Sequence, residues 1–172
     1  MYSITSTDRP LEVTSAPQSS VGAPCPRLLA GEHALHLVYY VEESRLAPPW
    51  SEVQPRPEAT GDSDDLCAVV EFSRPYAHMF GPPNDEAFSG HPLAARGLTP
   101  YSVFEVDGSS WVKTLERMNS VHPYHRPERF AAFKHFIFSF HDNTFECIAE
   151  AFSVSLCRGS VQRVLSAAAN EA

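Results

Sequence analysis

The sequence has little positive charge, and this shortage excludes a first class of function. Its 172 residues include 13 Lys and Arg against 21 Asp and Glu, a formal net charge of −8 at pH 7. No dense run of basic residues offsets this balance, so binding along a phosphate backbone is not expected. We therefore predict a protein that does not bind nucleic acid.

Long apolar runs are also missing. No stretch approaches the roughly 20 residues that cross a bilayer, and the first 30 residues lack the apolar segment of a secretory signal. We therefore expect a cytoplasmic, soluble protein with no membrane association.

Several catalytic and binding motifs are absent. The four cysteines, Cys25, Cys67, Cys147 and Cys157, form no CxxC pair, which argues against a zinc ribbon or a thioredoxin-like site. The phosphate-binding patterns GxxxxGK[ST] and GxGxxG do not occur, and neither does the GxSxG pattern of a serine nucleophile. Nucleotide hydrolysis and elbow-type serine catalysis are therefore disfavoured.

Composition divides the chain near residue 31. Residues 1–31 are rich in Ser, Thr, Pro and Ala, which predicts a mobile N-terminal arm. Residues 32–172 are predicted to form a single domain. Before residue 66 there are 4 basic and 10 acidic residues, so most of the negative charge lies in the N-terminal third.

Hydrophobic patterning predicts an α+β fold with one antiparallel sheet of four to five strands and two or three helices packed on one face. The predicted strands are 33–43, 66–73, 101–106, 135–141 and 144–156. A helix over 111–119 is capped by Ser109 or Ser110 and buries Trp111, Leu115 and Met118. Further helices are expected at 127–133 and after Ser160.

Residues 135–156 read as a hairpin around Asp142 and Asn143, a pair that tolerates the positive φ of a two-residue turn. This register places polar side chains on the face that also carries Ile137 and Ile148. His135 then opposes Glu150, Ser139 opposes Glu146, and His141 opposes Thr144. The face is either an ordinary sheet surface covered by a loop or helix, or the wall of a half-buried pocket.

The pocket interpretation supplies candidate catalytic residues: His135, His141, Glu146 and Glu150. A carboxylate across from an imidazole orients the ring and raises its basicity, as general acid–base catalysis requires. The same residue types suit a divalent metal such as Zn, Fe or Mn. The spacing of the histidines matches no established ligand motif, so the metal-binding residues stay unassigned.

Two segments between predicted elements, 74–100 and 119–126, combine donors, aromatic rings and positive charge. Their candidate substrate-binding residues are Arg74, Tyr76, His78, His91, Arg96, His122, Tyr124 and His125. Such a set suits a small molecule that bears a carboxylate or a phosphate. The alternative is that these side chains tie the loops to the body of the domain.

Two functions follow from these features. The first is a small-molecule enzyme or ligand-binding domain with a His/Glu/Arg-lined pocket, metal-dependent in one version, acting on an anionic small molecule. The second is a non-catalytic adaptor or inhibitor that presents its acidic, Pro-rich N-terminal third, with Trp50 as an exposed aromatic anchor. Both leave the oligomeric state open.

Overall fold

A computed structural model describes residues 2–53, 55–57 and 63–171. The chain divides into two compact units, which comprise Met1–Val13 with Pro75–Ala151 and Thr14–Arg74 with Phe152–Ala172. We call them unit 1 and unit 2. Within the described ranges, each contains its own β-sheet and one α-helix. The predicted α+β class with antiparallel pairing is confirmed, and the strands form two sheets where the sequence predicted one.

The described part of the chain forms ten strands, two α-helices and five short 3-10 helices. The strands are β1 (Arg9–Glu12), β2 (Arg27–Ala30), β3 (Leu35–Tyr40), β4 (Arg56–Pro57), β5 (Leu66–Ser73), β6 (Ala77–Gly81), β7 (Val103–Asp107), β8 (Lys134–Ser139), β9 (Thr144–Ala149) and β10 (Ala151–Arg158). The α-helices are α1 (Ser110–Asn119) and α2 (Val161–Glu171). Short 3-10 helices span Glu43–Arg45, Trp50–Glu52, Phe88–Gly90, Ala94–Arg96 and Pro127–Ala132. Within the described ranges, no helix has the length and apolar character that spanning a membrane requires.

The sheet of unit 1 has the strand order β1-β7-β8-β9-β6, and all its pairs are antiparallel. Every residue of β9 is buried, as is every residue of β8 after Lys134. The segment between β6 and β7 covers one face, where Phe88, Leu93 and Leu98 cluster with Ile137. A polar side chain on that face must therefore find its partners inside the protein.

The sheet of unit 2 has the order β2-β3-β5-β10-β4, in which the two-residue β4 runs parallel to β10. Helix α2 packs against β2, β3 and β5. Its residues Val161 and Val164 join Val38, Cys67 and Val69 in a buried cluster. The predicted C-terminal helix that follows Ser160 is confirmed.

The β8–β9 hairpin forms as predicted, but its register differs by two residues. Ile137 faces Glu146 and Ser139 faces Thr144. The predicted pairing of His135 with Glu150 is wrong, because His135 faces Ile148. A shift of two preserves the face of every side chain, so His135 and Glu146 still share one side of the sheet.

The turn explains the shift. The Phe140 amide donates to the Asn143 carbonyl at 2.9 Å, which makes His141 and Asp142 the turn residues. Neither Asp142 nor Asn143 has the positive φ that the predicted turn requires. Moving the turn by one residue moves each cross-strand pair by two.

Two further predictions need correction. The run 144–156 is two strands, β9 and β10, separated by a bend at Glu150 and assigned to different sheets. On α1, Trp111 is buried as predicted, but Met118 is 67% exposed. Ser109 caps this helix, since its side chain accepts from the Val112 amide.

Regular structure also occurs where prolines argued against it. Residues 1–31 contribute β1 and β2, and the segment 74–100 contains β6. These three are edge strands of their sheets, and an edge strand tolerates a proline because one row of its amides needs no partner. The mobility predicted for residues 1–31 stays a prediction.

The entry to α1 depends on Gly108, whose φ is +69°. A Cβ at this position would lie 2.4 Å from the Thr7 carbonyl oxygen. We expect Gly108→Ala to lower the free energy of unfolding by more than about 2 kcal/mol, because a strained backbone and a backbone clash add together. Urea denaturation measures this loss.

Gly90→Ala is the matched control, since a Cβ on Gly90 meets nothing within 4 Å. It should change the free energy of unfolding by less than about 0.5 kcal/mol. Equal losses in the two variants would contradict the close approach of residue 7 to the start of α1.

Candidate functional site

A carboxylate lies inside unit 1. Glu146, on the interior strand β9, is 4% exposed. Its Oε1 lies 3.1 Å from His91 Nε2, and its Oε2 lies 2.8 Å from His135 Nε2. The Tyr2 hydroxyl donates to Oε2 at 2.8 Å. Three side chains from distant parts of the chain therefore converge on one buried acid, and we call these four residues the Glu146 network.

The proton position on His91 follows from its neighbours. The Leu93 amide donates to His91 Nδ1 at 3.1 Å. A backbone N–H can only donate, so Nδ1 carries a lone pair and the proton of the neutral ring resides on Nε2. His91 Nε2 therefore donates to Glu146, and the ring is held in this tautomer by the turn between the 3-10 helices Phe88–Gly90 and Ala94–Arg96.

His135 has a partner at each ring nitrogen. Its Nδ1 lies 3.1 Å from Ser109 Oγ, while its Nε2 faces Glu146. Ser109 Oγ also accepts from the Val112 amide at 3.3 Å. A hydroxyl can accept one bond and donate another, so Ser109, His135 and Glu146 form a continuous hydrogen-bonded chain from the start of α1 to the centre of the sheet.

Aromatic rings pack together around Tyr2 and His135 of the Glu146 network. Tyr2 stacks on Trp111 with ring centroids 5.3 Å apart and an angle of 4° between the planes. The His135 ring meets both at right angles, with centroids 5.1 Å from Tyr2 and 5.1 Å from Trp111. Trp111 and His135 are buried, whereas Tyr2 is only half-buried. Tyr2 is therefore the most exposed of these three residues.

The segment that carries Tyr2 is anchored further along, at Asp8. Asp8 is fully buried, and its carboxylate accepts from the Thr5 and Ser110 amides at 2.7 Å each. Burial alone would raise the pKa of Asp8, but the hydrogen bonds from Ser110 and Thr5 hold it below its ordinary value. Arg96 Nη1 also donates to the Asp8 carbonyl at 2.9 Å. This anchor lies six residues from Tyr2.

Glu146 is ionised in this setting. Burial would raise its pKa, but hydrogen bonds from His135 and His91, the nearby His135 ring and the Tyr2 hydroxyl outweigh burial and lower it to about 2. Burial and the negative charge of Glu146 raise the pKa of Tyr2 well above its ordinary value, so the phenol keeps its proton. The site therefore presents a fixed negative charge to hydrogen-bond donors.

The geometry gives no support to the version of the site that holds a divalent metal. A metal bound at His91 Nε2 would need the lone pair of that atom, and the Leu93 amide places the proton there. Within residues 2–53, 55–57 and 63–171, no three His, Cys, Asp or Glu side chains are grouped so as to hold a metal ion.

His141, the other predicted catalytic histidine, belongs to a different cluster. Its Nδ1 lies 3.0 Å from Asp85 Oδ2 and 2.9 Å from the Tyr101 hydroxyl, which donates to the same Asp85 oxygen. The hydrogen bond from Tyr101 to Asp85, with some burial, raises the pKa of Tyr101 to about 12. The bonds from Tyr101 and His141 lower the pKa of Asp85. The His141 side chain is 42% exposed. The cluster ties the hairpin turn to the segment before β7.

The candidate residues of segment 119–126 lie elsewhere. His125 bridges Glu116 and Asn119 at 2.7 and 3.0 Å. His122 and Tyr124 are exposed beside each other, and Tyr124 is 80% exposed. This segment brings no side chain to the Glu146 network. The contacts of His125 are those of a side chain that ties a loop to the body of the domain.

The remaining candidates are also dispersed. Tyr76 packs on Phe130 and Phe133, and His78 is exposed on the edge strand β6. Glu150 occupies the bend after β9, and Arg74 lies in unit 2. Of the twelve predicted site residues, the structure thus brings together His91, His135 and Glu146.

Sequence reasoning missed Tyr2 and assigned Ser109 and Trp111 other roles. Ser109 was identified as a helix cap and Trp111 as a core residue, which both are, but each also contacts His135. Tyr2 lies in a segment whose composition predicted mobility, and no local pattern links it to β9. Only tertiary structure connects residues 144 positions apart.

Comparison with known proteins found no matching family model, no similar curated protein and no similar solved structure.

The lowered pKa of Glu146 makes its contribution to stability dependent on pH. The ordinary value is 4.5 and the folded value about 2, so ionised Glu146 stabilises the fold above pH 4.5, and that stabilisation is lost as the pH falls towards 2. The difference corresponds to about 3 kcal/mol. The gap in free energy of unfolding between the wild type and Glu146→Gln should therefore narrow by about that amount from pH 6 to pH 2.

Urea denaturation at a series of pH values measures this gap. Glu105→Gln is the control, because Glu105 forms a partly exposed pair with Lys134 on neighbouring strands. The gap for Glu105→Gln should change little. A gap for Glu146→Gln that stays constant down to pH 2 would contradict the lowered pKa of Glu146.

Proposed function

We propose that unit 1 is a small-molecule-binding domain whose site is the Glu146 network together with Trp111. The observation that supports this is a buried, ionised carboxylate whose third hydrogen-bond donor, Tyr2, is half-buried at the surface. Apolar residues of similar volume often stabilise a protein as well as a buried charged group does. A charge kept at such a position favours a role beyond stability.

Binding fits the site better than proton transfer does. A general base works best when its pKa is near the operating pH, and the pKa of Glu146 is about 2. Both ring nitrogens of His135 have partners, and His91 Nδ1 accepts from a backbone amide. The polar groups are arranged to hold a hydrogen-bond donor.

The charge of the site changes the class of ligand. A fixed carboxylate attracts donors and cations and repels anions, so we propose a neutral or cationic ligand in place of the anionic one that the sequence suggested. Arg96, one of the two arginines in that argument, is bound to backbone carbonyls of Thr5 and Asp8.

The competing adaptor function loses its aromatic anchor. Trp50 is half-buried, and its indole N–H donates to the Thr14 carbonyl at 3.2 Å. It is therefore not the exposed side chain that such a role requires.

A fragment screen tests the proposal. Neutral, cationic and anionic fragments are offered to the wild-type protein, and binding is followed by ligand-detected NMR. We expect hits among the neutral and cationic fragments, and their affinity should fall at least about 10-fold in Glu146→Gln, because a hydrogen bond to a charged group is lost.

Glu105→Gln serves as the matched control and should leave these affinities unchanged, and circular dichroism verifies that each variant is folded. Hits confined to anions, or hits that bind Glu146→Gln as well as the wild type, would contradict the proposed site.

A further inference from the structure

The contacts of the Tyr2 side chain indicate which ligand could take its place. Two donors to Glu146, His91 and His135, lie on segments packed within unit 1, while the third comes from the N-terminal segment. Resting on the proposed function, we infer that this site binds a small planar aromatic molecule with a hydroxyl group, a phenol, and that the Tyr2 side chain occupies the place of that ligand.

We call the space that the Tyr2 ring occupies the ring slot, and the Trp111 and His135 rings form its walls. The Trp111 ring is parallel to the Tyr2 ring at a centroid distance of 5.3 Å, and the His135 ring stands at 86° to it. Offset-stacked and edge-to-face contacts are the arrangements that aromatic rings prefer. A saturated ring or a branched chain would lose both contacts.

The polar end is specified by Glu146. Its Oε2 accepts from the hydroxyl at 2.8 Å, and this hydroxyl lies 3.5 Å from His135 Nε2. An aryl hydroxyl can donate here, whereas an aryl carboxylate or phosphate would bring a second negative charge to the acid. An unsubstituted aromatic ring would leave one bond to Glu146 unmade.

Tyr2 can leave the slot without unfolding its segment. The segment is held at residues 4–8, where Ile4 packs against the buried cluster around Leu93, and Asp8 accepts from Thr5 and Ser110 and receives Arg96 at its carbonyl. Between Tyr2 and this anchor, the Ser3 carbonyl accepts from Ser110 Oγ at 2.8 Å. Because Tyr2 is half-buried, its departure would open the slot at the protein surface.

The experiment removes the occupant and supplies its analogue. In Tyr2→Gly the slot is empty, and p-cresol, which reproduces the tyrosine side chain, is titrated by isothermal titration calorimetry. We expect p-cresol to bind Tyr2→Gly and raise its melting temperature, and to bind the wild type at least about 10-fold more weakly, because Tyr2 competes for the slot.

Chemical selectivity is measured with two further probes. Toluene has the ring without the hydroxyl, and benzylamine replaces the hydroxyl by an ammonium group. In Tyr2→Gly, p-cresol should bind at least about 10-fold more tightly than toluene. The preference should disappear when Glu146→Gln is added to Tyr2→Gly.

Two additional variants keep the test decisive. Tyr76→Gly removes another tyrosine of unit 1 that packs on aromatic rings, Phe130 and Phe133, and it should not bind p-cresol. If Tyr2→Gly fails to fold, Tyr2→Phe replaces it: without the hydroxyl bond to Glu146, the side chain should yield to p-cresol at a lower concentration than in the wild type.

The outcomes separate this inference from the proposed function. Benzylamine that binds through Glu146 while p-cresol does not would overturn the phenol ligand and leave the binding site standing. Equal binding of toluene and p-cresol would show an unspecific cavity and overturn the inference. Absence of binding by all three probes, in a protein where no fragment depends on Glu146, would overturn both.

Discussion

A negative charge buried at Glu146 imposes conditions that much of unit 1 meets. An isolated carboxylate in an apolar interior costs many kcal/mol, so it must be surrounded by donors. Here they come from the segment after β6, from β8 and from the N-terminal segment, through His91, His135 and Tyr2. The charge thus links parts of the chain that share no local sequence signal.

The same requirement explains why the donors are themselves supported. The Leu93 amide holds the tautomer of His91, and Ser109 satisfies the second nitrogen of His135 while capping α1. A partly satisfied buried network would be less stable than an apolar core. Each hydrogen bond of this network is therefore needed for the stability of the whole network. The Ser109 hydroxyl belongs both to the cap of α1 and to the site.

Local patterning predicted the central strands and the C-terminal helix well, because their apolar residues recur with the period of a strand or of a helix. The hairpin shows where this reasoning stops. The alternation of side chains along a strand placed His135 and Glu146 on one face correctly. The predicted turn is wrong by one residue, because tertiary contacts decide between the polar pairs 141–142 and 142–143. Edge strands such as β1 were missed, because prolines weaken their signal.

The candidate site was predictable only in part. His91, His135 and Glu146 were identified by residue type, but the same criterion also selected Arg74, His122 and Tyr124, which lie elsewhere. Residue type indicates what a side chain can do, and only the fold determines which side chains meet. Tyr2 is the clearest case, since its contact with Glu146 spans 144 positions.

Much of unit 1 depends on the ionised state of Glu146, and NMR measures that state directly. Protein labelled with ¹³C at the glutamate side-chain carboxyl is titrated with acid, and the Glu146 signal is assigned by its loss in Glu146→Gln. We predict a carboxylate that remains ionised at pH 4 and titrates with a midpoint near the lowered pKa of about 2. A midpoint at or above the ordinary value of 4.5 would show that the hydrogen bonds to Glu146 do not outweigh its burial.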